Sequence, residues 1–472
     1  MKSSALMAAA LALAALSSCA VYQPRPIDPQ STLQSFEART LDSAELKRFI
    51  ERNASPLATP WPRPSWDLDA LTLAAFYYHP DLDAARARLG TAEAALGTAA
   101  QRPLPSAQVP LGYNADSGAA PPWLFGLDLG VTIETAGKRG LRIAQAQQLS
   151  RSARFNLGQV AWQVRGRLRD RLLTLYGALG SQVLLERQAT AQEAIVQMLA
   201  KRLALGEASG SEVALARIAL NQNRLAVAEA QRVARDARAL LAASVGLTPE
   251  AFERATLSFV DFETLPARIA PRDLRREALL NRSDVLAALA DYEASQSALQ
   301  LEVARQYPDV RLGPGYAWDS GANKFSFGVG LPAFSINRRR PAIAEGEARR
   351  AEAAARAMAV QAQALGDSSR AAEDFDAARQ KLAVADELLA SDRRQFALVE
   401  RSFRAGETDR LELTRARHAV YADEVARFDT TIKVHQALGL LEDAMQRPIG
   451  GTAWGLPIGA AESARAHETN AR

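Results

Sequence analysis

The chain of 472 residues holds a single cysteine, Cys19, which excludes a disulfide framework. Its four histidines, His79, His418, His435 and His467, never pair at ligand spacing on one helix, so no metal cage is expected. Aromatic residues make up only 6% of the chain. Neither sign of charge dominates: 57 basic residues face 53 acidic ones, and both are interleaved, as in RQATAQEAIVQMLAKR (187–202) and EGEARRAEAAARA (345–357). A nucleic-acid binder concentrates its basic residues on one stripe, so that partner is excluded and solvated helix faces are expected instead. No glycine-rich phosphate loop, nucleophile elbow or metal motif occurs, so the chain reads as no enzyme, with no catalytic residue and no cofactor. The longest apolar run, Ala5–Leu16, is too short to span a bilayer as a helix.

What is present is alanine and leucine, within an apolar fraction of 48%. Both are strong helix formers with little side-chain entropy to lose, and alanine lets helices approach closely. The run from Ala5 follows Lys2 and leads into Leu16-Ser17-Ser18-Cys19. An apolar residue, two small ones and a cysteine form the bacterial lipobox pattern. Residues 1–18 are therefore expected to be a lipoprotein signal peptide and Cys19 the lipidation site, since several acyl chains make a stable anchor. Ala20 in place of an acid after the cysteine favours the outer membrane. Residues 19–64, carrying Pro24, Pro26, Pro29, Pro56, Pro60, Pro62 and Pro64, read as an extended strap.

The chain also repeats itself. Shifted by 203, Asp81–Gly118 falls on Asp284–Gly321, pairing Pro105 with Pro308, Gly112 with Gly315 and Tyr113 with Tyr316. After a three-residue deletion the shift is 200, and Phe125 meets Phe325, Gly130 meets Gly330, Gly206-Glu207 meets Gly406-Glu407, and Glu212 meets Glu412. One register kept over this span marks a duplication, with a first repeat at 65–245, a second at 271–447 and a flexible tail at 448–472.

Each copy reads in the same order. A helix (67–102 or 271–306) leads into a β-hairpin (about 105–134 or 308–334). In the hairpins Phe125, Leu127, Leu129, Val131 and Ile133 alternate with small or polar residues, as do Phe325, Phe327, Val329 and Leu331. A long helix (about 138–205 or 339–405) follows. Leu168, Leu172, Leu175 and Leu179 give it the four–three spacing of a coiled-coil seam. Gly206 or Gly406 turns the chain into a return helix (about 209–245 or 408–446). The fold class is thus mainly α with a small β part. Four strands cannot close a membrane barrel, and open edges cannot sit in lipid. Either the hairpins pack on the helices as small soluble sheets, or several chains share one barrel, three of them giving twelve strands. In the second case Asp128 faces the lumen, and Trp123 and Trp318 fit an interfacial belt.

The order of these segments resembles the TolC-like outer-membrane factor family. IETAGKRGLRIAQA (133–146) resembles the family's IE-x-G-G-K-R pattern, most like members serving heavy-metal (cobalt-zinc-cadmium type) efflux pumps, with Ala136 replacing one glycine. LPAFSINRRRPAI (331–343) resembles its LPLF-x-x-G-R-R pattern, with Asn337 in place of glycine. LGEASGSEVALAR (205–217) and AGETDRLELTRAR (405–417) resemble its helix tips.

The resemblance covers about 65–447. It implies a homotrimer with a twelve-stranded outer-membrane β-barrel, four strands per chain, joined to a twelve-helix periplasmic tunnel. The partners implied are outer-membrane lipid, a periplasmic adaptor and an inner-membrane RND-type pump. The resemblance makes Gly206 and Gly406 adaptor-docking tips, and Glu212 and Glu412 an acidic ring at the tunnel mouth, against the reading of glycines as plain caps and glutamates as solvated. Arg415 stands where some relatives carry a second acid, which offers a salt bridge at the mouth or weakens cation preference. A type I secretion exit duct and a multidrug efflux channel share this fold. A non-channel coiled-coil envelope lipoprotein is the reading from another class.

Overall fold

The computed structural model describes residues 22–113, 115, 122–265, 276, 279–319, 321–331 and 339–449. Cys19, Asn337 and nearly all of the tail lie outside the described residues.

The expected strap is not extended throughout. It contains α1 (Pro29–Glu37) and α2 (Ala44–Asn53), followed by a 3-10 turn at Ser55–Ala58. Proline in the first turn of a helix removes an N–H that has no helical partner anyway, so Pro29 opens α1 and Pro56 opens the turn. Asp28 and Ser43 cap the two helices. Leu46, Phe49 and Ile50 of α2 are buried in the main core.

The first helix is also divided. α3 (Leu68–Tyr78) ends at His79, whose extended backbone caps α4 (Pro80–Ala99). Pro80 forbids a continuous helix because the residue before a proline avoids helical geometry. In the second repeat α8 (Ser283–Ala304) matches α4. The long helices are α5 (Lys138–Ala204, 67 residues) and α9 (Arg340–Arg404, 65 residues), each close to 100 Å at 1.5 Å per residue. Their return helices, α6 (Gly210–Val245) and α10 (Arg410–Met445), both have 36 residues and differ in number by the same shift of 200. The short α7 (Pro249–Glu253) lies in the link between the repeats.

In one half of the molecule α4, α5, α8 and α9 lie side by side; in the other, α6, α5, α10 and α9 do so. The seam on α5 holds for Leu168, Leu172 and Leu175, all buried, but Leu179 is 40% exposed and Ala178 is buried instead. The long helix is packed against α4, α6, α8 and α10 rather than along one seam, so which residues are covered depends on the neighbour at each level. The N-terminal segment and the inter-repeat link are tied at mid-length. Trp66 N–H donates to Thr256 O at 2.9 Å, and Ser258 N–H donates to Trp66 O at 2.9 Å. Arg39 Nη1 donates to Tyr78 O and Gly246 O, both at 3.0 Å. Gly246 has φ +90°, and a Cβ there would lie 2.8 Å from Tyr78 O, so glycine is required twice over.

The strands are β1 (Ser106–Gln108), β2 (Leu111–Tyr113), β3 (Trp123–Ile133), β4 (Val310–Asp319) and β5 (Ala322–Gly330). The first arm of the first hairpin is thus two short strands, interrupted at Val109-Pro110. One antiparallel sheet forms in the order β1-β3-β4-β5, with β2 also on β3. The β3–β4 pairing, with Leu127 opposite Tyr316 and Val131 opposite Leu312, joins the two repeats in one sheet.

Candidate functional site

Two surfaces carry the chemistry: the helix tips and the exposed sheet. At the tips the sequence must reverse direction within five residues. Gly206 and Gly406 both adopt φ +77°, and an added Cβ would meet nothing within 4 Å, so backbone sign rather than crowding demands glycine. Gly206 N–H donates to Leu203 O at 3.0 Å and Glu207 N–H to Arg202 O at 2.8 Å. The second tip repeats this with Gly406 to Phe403 at 3.1 Å and Glu407 to Ser402 at 2.9 Å. These bonds use carbonyls that would otherwise end the helix unpaired.

Both candidate mouth acids start a return helix. Glu212 Oε2 accepts from Ser209 N–H at 2.8 Å while Ser209 Oγ accepts from Glu212 N–H at 3.2 Å, a complete capping box. Those hydrogen bonds hold the Glu212 carboxyl below the usual range; Arg415 adds to this more weakly, as a through-space charge. In the second copy Asp409 replaces Ser209. Its Oδ1 accepts from Glu412 N–H at 2.9 Å, and Glu412 Oε2 accepts from Thr408 Oγ at 2.7 Å. Glu212 and Glu412 remain exposed.

Among the described residues, an ion pair between Arg202 at the end of α5 and Asp409 at the start of α10 joins the two helix tips. Sequence reasoning missed it. The only available signal was the charged cap at 409 where the other repeat has a serine. Above it, α5 and α10 leave a groove of about 1020 Å³ lined by Glu186, Lys201, Phe403, Arg410, Arg417 and Tyr421 among others.

At the other end, one face of the sheet is apolar and bare. Phe125 is 45% exposed, Phe325 84% and Phe327 67%, with Leu127, Leu129, Val131 and Val329 beside them. A continuous exposed apolar patch marks a surface that meets a membrane or another protein. Rings cluster toward the loop end: Phe125 stacks on Trp318 at 4.9 Å, Tyr113 meets Trp123 at 5.0 Å, and Tyr316 meets Phe325 at 5.3 Å. The opposite face carries Gly126, Asp128, Gly130 and Thr132 on β3, with Gly315 and Ser326 in register with Asp128. Among the described residues no helix is long and apolar enough to cross a membrane.

The glycine–lysine–arginine motif locks the strand to the long helix. Lys138 Nζ donates to Asp309 Oδ1 and Tyr307 O, both at 2.6 Å, and Thr135 N–H donates to Asp309 Oδ1 at 3.0 Å. Arg142 Nη2 donates to Glu134 Oε2 at 3.0 Å. Ala136 and Gly137 both lie at positive φ, +53° and +67°. Such backbone geometry favours glycine at both positions.

The family model described as outer membrane efflux protein matches residues 75–247 and 274–445, one match per repeat. The chain is 28% identical to the cobalt-zinc-cadmium resistance protein CzcC of Cupriavidus metallidurans over 48% of this chain and 54% of that protein. It is 22% identical to the pyoverdine export outer membrane protein OpmQ of Pseudomonas aeruginosa, over 93% of this chain and 97% of that protein. Its fold matches the outer membrane protein VceC of Vibrio cholerae with a TM-score of 0.65 at 19% identity, covering 85% of this chain and 98% of the other. With a match on each repeat, the chain belongs to the outer membrane efflux protein family and is an outer-membrane channel component of a tripartite efflux system.

Proposed function

We propose that three copies of this chain close a twelve-stranded barrel through the outer membrane and a twelve-helix tunnel beneath it. The observation that carries this is the sheet: an exposed apolar face on strands of up to 11 residues, long enough for a membrane strand, which a single chain leaves with open edges. Assembly pairs those edges and gives the apolar face to lipid. The channel is a passive exit duct and catalyses nothing. An inner-membrane RND-type pump supplies the energy, and a periplasmic adaptor docks on the Gly206 and Gly406 tips and in the groove above them. Glu212 and Glu412 ring the mouth, with Arg415 beside Glu212 as its counter-charge. Cys19 anchors the chain through acyl groups, so Cys19→Ser is expected to lose palmitate labelling while trimers still insert.

The favoured cargo class is divalent and monovalent metal cations. The similarity to CzcC supports this, as does the IETAGKRG segment. The similarity to OpmQ favours organic molecules instead. Growth inhibition of a deletion strain separates the two. Sensitivity confined to zinc, cobalt, cadmium, copper or silver supports the metal duct. Sensitivity to drugs, dyes or detergents makes it a multidrug channel, and loss of a secreted protein alone makes it a type I exit duct.

A further inference from the structure

The face of the sheet opposite the apolar one is rich in glycine, with Leu124 and Gln108 as its larger uncharged side chains. Gly112, Gly126, Gly130, Gly313, Gly315, Gly328 and Gly330 occupy it, with Ala317, Ser106, Ser326 and Thr132 between them. Side chains fill the interior of a small barrel, so glycines on this face keep a twelve-stranded lumen open.

Four described strand residues on this face carry charge: Asp128, Arg311, Asp319 and Lys324. Two of them cancel, since Lys324 Nζ pairs with Asp319 Oδ2 at 2.6 Å next to the β4–β5 turn. Asp128 and Arg311 remain. Asp128 sits midway along β3 in register with Gly315, and its carboxylate stands over the space that a Cβ on Gly315 would fill. The same missing Cβ would lie 2.5 Å from Ser326 Oγ, so the carboxylate and hydroxyl converge above one glycine. Arg311 lies opposite Thr132 and Gly330, at the helix end of the sheet. Four residues of strand separate Arg311 from Gly315, about 13 Å. That exceeds the screening length at physiological salt, so an ion in transit meets the two charges in succession rather than as a neutral pair.

We propose that Asp128 and Arg311 set the charge selectivity of the barrel as two opposed rings in series, carboxylates midway and guanidiniums at the entrance from the tunnel. The inference rests on the trimeric barrel proposed above. The Asp128 ring concentrates cations at mid-barrel, and the Arg311 ring opposes their entry. Each acts on permeant ions through its field across a glycine-lined lumen, without a binding cage.

The test is the reversal potential of purified full-length trimers in planar bilayers under a tenfold KCl gradient. It is run in a Glu212→Gln, Glu412→Gln background, which removes the acidic ring of the mouth from parent and variants alike. Asp128→Asn is expected to lower the potassium-to-chloride permeability ratio about two- to threefold, and Arg311→Gln to raise it by a similar factor. Both differences should collapse at 1 M salt, where the screening length is about 3 Å. If the parent trimer does not conduct, the channel reading itself fails. If it conducts and neither variant moves the ratio, or both move it in the same direction, the two-ring inference is overturned while the channel stands. Should Asp128→Asn not yield trimers, Arg311→Gln still decides through the sign of its effect.

Discussion

Arg169 of α5 lays its guanidinium in the notch left by Gly439 of α10, where a Cβ would collide with Nη1. Its Nη2 donates to His435 O at 2.6 Å, and its Nε stands 3.4 Å from Glu442 Oε2. Gly166 on α5 returns the favour, since a Cβ there would lie 2.9 Å from Asp443 Oδ1. Helices from different repeats thus exchange charged side chains through glycines, Arg169 buried and Asp443 at the solvent-facing edge. Trp162 Nε1 donates to Asp443 Oδ1 at 2.9 Å and Arg165 Nη1 to Glu442 Oε2 at 3.1 Å at the same crossing.

Gly439→Ala should therefore cost more than a helix-interior glycine-to-alanine change usually returns. Overpacking costs about 1–3 kcal/mol, and displacing Arg169 breaks a buried pair as well. Thermal unfolding followed by helical circular dichroism should show a lower midpoint. An unchanged or higher midpoint would mean that Arg169 moves aside freely.

The same crossing makes a pH prediction. Burial pushes Asp443 from 3.8 up to about 6, while burial and then the Arg169 charge push His435 from 6.5 down to about 4. Between those limits native Asp443 holds a proton that the unfolded chain lacks, so its contribution to stability falls as pH rises. Unfolded His435 holds a proton that the native ring lacks, so its contribution rises with pH. The two effects are of opposite sign and partly cancel, the Asp443 one weakened by the solvent that reaches its carboxyl. Asp443→Asn should leave stability rising from pH 4 to 6.5, and His435→Phe should leave it falling. Parallel profiles for the parent and both variants in denaturant titrations would refute the assignment.

Ala136 holds φ +53°, a conformation that costs a non-glycine residue roughly 1–2 kcal/mol. Ala136→Gly should relieve that strain and raise stability by about 1 kcal/mol, less the entropy that glycine loses on folding. A clear loss of stability would show that the Ala136 methyl contributes packing that outweighs the strain.

Asp409 caps α10 and pairs with Arg202, and these roles separate by substitution. Asp409→Asn keeps a capping oxygen and loses only an exposed ion pair, worth at most about 1 kcal/mol. Asp409→Ala loses both and should cost about 1 kcal/mol more. Amide exchange at 410–413 should speed up strongly only in the alanine variant. Equal exchange in both variants would assign the effect to the ion pair.

Glu412→Ala should raise single-channel conductance and lower cation preference in a planar bilayer, because a carboxylate ring at a constriction attracts cations and narrows the passage. Unchanged values would leave Glu412 as a helix-start residue alone, bonded to Thr408.

The tips, the duplication and the strand alternation were legible in the sequence because each depends on local chemistry. Glycine at 206 and 406 tolerates φ +77°, and Phe125 to Ile133 alternate because strand side chains point to opposite faces. The break at His79-Pro80 could have been read from the proline. The helix at 29–37 opens on Pro29, and the helix at 44–53 fills the proline-free stretch before Pro56, so proline content alone does not mark this segment as extended.

Other features depended on elements far apart in the chain. No periodicity pairs Arg169 with Gly439, Arg202 with Asp409, or Lys138 with Asp309, since each partner lies on a different repeat. The motif around Lys138 was visible as a pattern, but its mechanical role required Asp309 to be seen beside it. The burial of Ala178 in place of Leu179 also belongs to packing, because the covered face is set by whichever helices lie beside it. The sequence by itself determined two copies of a helix, a hairpin, a long helix and a glycine turn, because propensity and periodicity are local. Only the tertiary structure decided how the copies lock together, because a buried charge is stable only where a specific distant partner meets it.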